Sequence, residues 1–294
     1  MPISPTTIEK RLAGAKVKKT TKRILCYAFL SIIGIVMVYP LLWMVSASFK
    51  TNNEIFSSIS LIPKAVLWNG YTDGWKGSGQ YSFGLFFANT FLMVVPTVLF
   101  TLVSSLLVAY GFARFKFRGK KALFALVIAS LMLPNEVVII PRYMVFNKLG
   151  WLNTYLPFII PAAFATYSFF IFMLVQYIRS IPRELDESAR IDGCNSFKIL
   201  TLIVTPLCVP SLISVTIFQF VWRWNDFLNA LIYISSVKKY TLSLALRMSL
   251  DVTDTIAWNQ TIAMSVLSML PPVILFFFTQ KYFVEGVSTT GLKG

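Results

Sequence analysis

The sequence contains no histidine. That excludes histidine-based metal sites, Ser–His and Cys–His nucleophilic pairs, and imidazole proton shuttles. Cysteine is scarce: Cys26, Cys194 and Cys208 show no close pairing, and Cys26 and Cys208 lie in or beside apolar runs, so neither a disulfide framework nor a zinc site is indicated. Acidic residues are also few, 12 against 27 Lys and Arg, for a formal charge of +15. Charged residues make up 13% of the 294 and hydrophobic ones 56%, which leaves too little polar surface for a soluble domain of this length.

What is present is a series of apolar runs reaching or exceeding the roughly 20 residues needed to cross a hydrocarbon layer as a helix. Six spans are expected, near 24–47, 85–113, 122–146, 155–178, 207–234 and 262–283. The first is too long for a signal-peptide core and lacks a clear cleavage site, so it reads as a retained span. The predicted organisation is a basic tail over 1–23, a six-helix domain over 24–283 with a loop at 179–206, and a C-terminal tail over 284–294.

An even number of spans puts both termini on one side. That side carries seven Lys and Arg in the N-terminal tail, five after span two, four in the 179–206 loop, and Lys281 and Lys293. The other carries Lys50, Lys64, Lys76, Arg142, Lys148, Lys238, Lys239 and Arg247. The positive-inside rule therefore places both termini in the cytoplasm. Because the cations flank the spans, topology and anionic lipid headgroups account for them, and no nucleic-acid partner is implied.

Prolines recur inside the spans, at Pro96, Pro134, Pro141, Pro157, Pro161, Pro210, Pro271 and Pro272. Ordinary membrane-helix irregularity accounts for them, and so do helices that bend during transport.

Against this background the stretch "SIPRELDESARIDGCNSF" stands out, because it holds four of the 12 acids, Glu184, Asp186, Glu187 and Asp192. Pro182 suits the first position of a helix, the acids complement its positive end, and Gly193 supplies a stop. Asp186 and Arg190 are spaced for a surface pair. Leu185 and Ala189 share a face, and small residues at Ser188 and Ala189 allow another surface to approach closely. Helix chemistry alone is satisfied by a solvated loop helix.

The order of the residues says more. Glu187-Ser188-Ala189, three further positions, Gly193, and then Ile203-Val204-Thr205-Pro206 resembles the "EAA" loop of ABC importer permeases. That pattern is Glu-Ala-Ala, three residues, Gly, nine residues, then Ile-x-Leu-Pro. Ser188 and Thr205 replace two of its residues, and Cys194 stands where Ala is usual. With "LPNEVVIIPRYMVFNKLGWLNTYLPFIIP", "WRWNDFLNALIY" and "QKYFVEGVSTTGLKG", the chain resembles the carbohydrate-uptake branch. Within it, the chain is similar to the shorter permease subunit of the maltose importer and to a permease of an alginate-oligosaccharide importer.

The resemblance implies an all-α, type I ABC importer permease fold in a bacterial inner membrane. It also implies a homologous permease subunit as heterodimer partner, two ATPase subunits that bind ATP and Mg, an extracytoplasmic solute-binding protein, and a carbohydrate substrate. The residues it assigns to ATPase coupling are Glu184, Glu187, Ser188, Ala189, Asp192, Gly193, Phe197 and Pro206. It places Gly291, Lys293 and Gly294 in a tail that reaches the ATPase interface.

Charges inside spans are costly and often functional. Arg223 and Asp226 are three apart and able to pair, with Trp222, Trp224, Asn225 and Phe227 around them, and Asn135 and Glu136 follow Pro134. Two readings of Asn135, Glu136, Arg223, Asn225 and Asp226 stand side by side: a sugar pathway, or an interfacial aromatic belt around a structural ion pair. The aromatic residues Trp68, Tyr71, Trp75 and Tyr81 between spans one and two are candidates for contact with the binding protein. No Walker A spacing is present, since "GFARFKFRGKK" has seven residues between Gly111 and Gly119. The chain is accordingly expected to hold no catalytic residue, metal or cofactor. An ion-driven secondary transporter is the rival class, with Glu136 and Asp226 as its coupling carboxylates.

Overall fold

The computed structural model describes residues 5–77, 80–250 and 257–290, with side chains for 21–77, 80–250 and 257–281, and among them every regular element is helical. Thr21–Ala47, Phe83–Arg114, Leu156–Ser180 and Trp258–Lys281 are long and apolar enough to cross a membrane. Two bent pairs, Lys120–Leu131 with Asn135–Lys148 and Ser196–Leu207 with Val209–Trp224, make six spans when each pair counts as one.

The chain forms two units, residues 1–72 with 257–266 and residues 73–256 with 267–294. In the first, α1 (Pro5–Ala47) is helical through most of the expected basic tail. Pro5 suits a helix start, and Ala, Lys and Arg are good helix formers. After α1 the polar stretch is a built loop. Thr51 Oγ1 accepts the Glu54 amide (3.2 Å) to cap α2 (Asn52–Ser57), and Glu54 Oε1 accepts the Lys64 amide (2.9 Å). Lys50 is fully buried and donates to the Ser60 carbonyl. Phe49 packs between Trp68 and Tyr71, at ring distances of 5.0 and 5.3 Å, and the Tyr71 hydroxyl meets Ser48 Oγ at 2.7 Å. Trp68 begins the approach to α3 (Asn69–Lys76) with its ring exposed.

The second unit is organised on α4 (Phe83–Arg114). A line of hydroxyls runs down one side of α4, and Thr90, Thr97 and Thr101 each return a bond to the carbonyl four residues earlier, at 2.6–2.8 Å. Satisfied in this way, small polar residues let neighbouring helices come close inside a membrane. Ser104 reaches the Ala162 carbonyl (2.6 Å), and Gln219 donates to Thr101 Oγ1 (3.0 Å). The adjoining apolar core joins Ala109 and Tyr110 of α4 to Phe170, Leu174 and Ile178, and to Ile199, Val204 and Val215.

Three expected spans are interrupted. The third is α5 (Lys120–Leu131) and α6 (Asn135–Lys148), set at 106°. Pro134 separates them, and the residue before a proline is pushed out of helical geometry. The fourth is α7 (Leu156–Ala163) and α8 (Ser168–Ser180), with Pro157 in the first turn of α7.

The fifth begins at residue 196 rather than 207, so helix resumes inside the expected loop. It runs through α10 (Ser196–Ile199), a π turn at Leu200–Val204 and α11 (Thr205–Leu207), then bends 75° into α12 (Val209–Trp224). Pro206 and Pro210 explain the distortion, since each withholds an amide from the helix ladder. The Thr205 amide bonds instead to the Leu200 carbonyl, which also accepts Thr205 Oγ1 (2.7 Å). The stretch expected to finish span five forms α13 (Leu228–Tyr233) after a separate turn. A short α14 (Leu242–Met248) follows, and α15 (Trp258–Thr290) contains Pro271 and Pro272 and stays helical through 284–290, where a tail was expected.

Candidate functional site

The acidic loop folds as α9 (Glu184–Ile191), with Glu184, Asp186 and Glu187 in its first turn. It starts two residues later than Pro182 had indicated. Its end is a Schellman turn: the Gly193 amide bonds to the Arg190 carbonyl (3.0 Å) and the Cys194 amide to the Ala189 carbonyl (2.9 Å). Gly193 takes φ +81°, where a side chain is disfavoured. The chain then turns into α10, whose start is capped by Asn195 Oδ1 accepting the Lys198 amide (2.8 Å).

One face of α9 turns into the protein, and this corrects the expected pairing. Asp186 is buried and does not lie in a surface pair with Arg190. Its Oδ2 is 2.8 Å from Arg114 Nε at the end of α4, and the two side chains are 9% and 3% exposed. The contact is close in distance but off-angle for a hydrogen bond, and Asp186 Oδ1 has no partner among the described residues. Arg114 Nη2 also donates to the Ile181 carbonyl (3.1 Å). Arg183 Nη2 donates to the Ala113 carbonyl (3.3 Å), and the Tyr110 hydroxyl to the Ser196 carbonyl (3.2 Å). The last turn of α4 thus grips the chain on both sides of α9. Ala189, expected on a docking face, is buried in the core beside Ile178 and Ile199. Leu185, expected to share its face, stays partly exposed.

The other face is open. Glu184, Glu187, Ser188 and Asp192 are exposed, and so are Gly193 and Pro206. Ile191 is 88% exposed and Phe197 67%, so two apolar side chains flank the acids. An acidic helix face with exposed apolar neighbours is suited to a partner surface bearing a cation beside an apolar cleft. Gly291, Lys293 and Gly294 lie outside the described residues.

The residues expected along a pathway divide. Arg223 and Asp226 pair at 2.6 Å, although Asp226 lies beyond the end of α12. Asp226 also accepts the Asn229 side-chain amide at 2.9 and 3.1 Å, and the Arg223 guanidinium lies 5.6 Å from the centre of the Tyr167 ring. A cavity of about 630 Å³ is lined by Asn135, Arg142, Tyr167, Trp222, Arg223 and Asn229, among others. Asn135 Oδ1 accepts Arg142 Nη1 across 3.3 Å. Asn135 and Arg223 therefore come together, with Asp226 buried behind Arg223 as its orienting partner.

Glu136 and Asn225 are not part of that wall. Glu136 is exposed in the first turn of α6, and Asn225 lines a separate hollow beside Leu242. Trp224 is buried and donates to the Ser268 carbonyl (2.9 Å), a packing role. Arg142, Tyr167 and Asn229 had not been singled out from the sequence. They come from three segments far apart in sequence, α6, the turn before α8, and α13.

Comparison with known proteins follows the same lines. The family described as binding-protein-dependent transport system inner membrane component matches residues 102–289. A probable ABC transporter permease protein YurM of Bacillus subtilis is 34% identical over 91% of this chain and 88% of its own length. The arabinooligosaccharides transport system permease protein AraQ of Halalkalibacterium halodurans is also 34% identical, over 91% of this chain and 94% of its own. The fold is shared with a chain of a bacterial ABC transporter involved in the import of the acidic polysaccharide alginate. There the TM-score is 0.78 at 22% identity, covering 96% of this chain and 100% of that one.

Proposed function

The chain belongs to the family of binding-protein-dependent transport system inner membrane components, and on that premise we propose that it is a permease subunit passing a sugar or oligosaccharide from a solute-binding protein into the cytoplasm. Carbohydrate is favoured by the named roles of its relatives, which include arabinooligosaccharide and trehalose/maltose transport permeases. The observation that carries the mechanism is the build of α9. Its acids face outward beside Ile191 and Phe197, while Arg114 and Asp186 tie its inner face to a membrane-crossing helix.

In this reading α9 docks on a separate ATPase subunit that binds ATP and Mg. Glu187 meets a cation there, and the exposed apolar residues enter its cleft. Closure of the two ATPase subunits pushes on α9, and the grip of Tyr110, Ala113 and Arg114 passes the displacement to α4. Within this chain the work is mechanical, and bond chemistry belongs to the motor. A homologous permease completes the pathway. The cavity bearing Asn135, Arg223, Tyr167 and Trp222 offers amide, guanidinium and aromatic surfaces suited to a sugar ring. Trp68 and Trp75, exposed after α1 and in α3, are the surfaces offered to the binding protein.

The test compares wild type with Glu187→Ala in transporters assembled with the binding protein and ATPase. The variant should insert normally, capture less ATPase and lose most ATP-driven uptake. Wild-type capture and uptake in the variant would remove Glu187 from the coupling role. Uptake that persists without the ATPase would favour an ion-driven transporter.

A further inference from the structure

A second charged surface lies beside the one already described, and apart from Arg183 the coupling role does not use it. Lys116, Arg118, Lys120, Lys121, Arg179 and Arg183 sit at the ends of α4, α5 and α8 and just before α9. None of the six forms an ion pair among the described residues. Three of them converge. The charges of Arg179 and Arg183 both act through space on the Lys120 ammonium, which is partly withdrawn from solvent. Each is held in place by something other than an acid. Lys120 Nζ donates to the Phe115 carbonyl (2.8 Å), Arg183 Nη2 to the Ala113 carbonyl (3.3 Å), and the Arg179 guanidinium lies 5.0 Å from the centre of the Phe124 ring. Gathering like charges without a counterion is unfavourable, so the arrangement is poised for an anion.

The surroundings say which anion. Lys120 opens α5, none of whose residues is buried, and Leu123 and Leu126 are 48% and 65% exposed along it. Phe115 and Phe117 are exposed in the turn between α4 and α5. A cationic cluster, aromatic rings and a bare apolar helix follow one another in the order of headgroup, interface and hydrocarbon. We propose that Lys120, Arg179 and Arg183 form a site for the phosphate headgroup of an anionic phospholipid, whose acyl chains run along α5. An acidic protein surface would satisfy the charge but leave Leu123 and Leu126 without a role. Bound there, the lipid braces α5, α8 and the segment entering α9, so the lipid composition of the membrane bears on the position of the loop.

The full chain purified in detergent tests this. Thermal unfolding, read by tryptophan fluorescence, is followed with added phosphatidylglycerol, phosphatidylcholine or inorganic phosphate. Phosphatidylglycerol should raise the midpoint by several degrees, and the other two should leave it unchanged. K120Q/R179Q should abolish the shift and weaken retention of phosphatidylglycerol about fivefold per cation removed. K120R/R179K, and K148Q at a cation remote in the topology, should retain both. An equal shift with phosphatidylcholine, or a full phosphatidylglycerol response in K120Q/R179Q, overturns the site. If K120Q/R179Q keeps the lipid response but loses ATPase capture, the cluster is a protein-docking surface and the lipid site falls. Native mass spectrometry of the wild type decides without variants: phosphatidylglycerol adducts must outlast phosphatidylcholine adducts, and equal loss counts against the proposal.

Discussion

Asp186 carries its charge into the protein beside Arg114, so removing either side chain strands the other. Breaking a buried pair from one side costs about 3–5 kcal/mol, whereas replacing both partners by apolar groups of similar volume is often near neutral. Asp186→Asn should therefore lower the thermal midpoint of the purified chain sharply, and Arg114→Met with Asp186→Leu should restore most of it. If the double variant transports poorly despite regained stability, the pair serves coupling beyond holding the fold. Gly193 presents a different kind of constraint. Nothing lies within 4 Å of a Cβ placed there, so the cost of Gly193→Ala is that of its positive φ, about 1–2 kcal/mol. Faster amide exchange at the α9 end and reduced uptake are expected, with Gly193→Asn milder. The glycine was legible in advance because its requirement is local. The partner of Asp186 was not, because several cations lie near the same loops and spacing favoured Arg190.

Among elements, the helix that follows α9 depends on its cap. Asn195 Oδ1 holds the Lys198 amide at 2.8 Å, and loss of such a cap costs about 1 kcal/mol. Asn195→Ala should raise amide exchange in Ser196–Ile199 while leaving α12 unchanged, and uniform loosening of both would contradict a local cap. Between α4 and α12, Gln219 donates to Thr101, but its own oxygen finds no partner among the described residues. Gln219→Leu should cost little, within about 1 kcal/mol, because it removes an unsatisfied acceptor together with the bond. Thr101→Val should cost more, since it leaves the buried amide of Gln219 without its acceptor. Thermal unfolding of the two variants gives the order. Prolines recur through spans two to six in the sequence, but the 106° and 75° angles in spans three and five depend on what each half packs against.

At the scale of the whole molecule, orientation is the property that charge placement determines most directly. The side bearing the N-terminal tail carries most of the Lys and Arg, and that asymmetry predicts a cytoplasmic α9. With the native cysteines replaced, Ser188→Cys should react with an impermeant maleimide in inside-out vesicles and resist it in right-side-out ones. Asn53→Cys, in the loop after α1, should behave in the opposite way. Labelling of both from one side would reverse the topology and separate α9 from any cytoplasmic motor.

Membrane residence follows from the amino-acid order alone, and so do the expectations of six spans and a cytoplasmic acidic loop. Apolar length and cation asymmetry are additive along a chain and need no knowledge of what touches what. The resemblance of Glu187 through Pro206 to a known loop is likewise a matter of spacing. Only the tertiary structure decided that Asp186 and Ala189 turn inward while Glu187 and Ile191 face out, and that Asn135 shares a cavity with Arg223 while Glu136 does not. The reason is geometric. A helix shows every side chain to some neighbour, and which neighbour it is depends on packing between segments far apart in sequence.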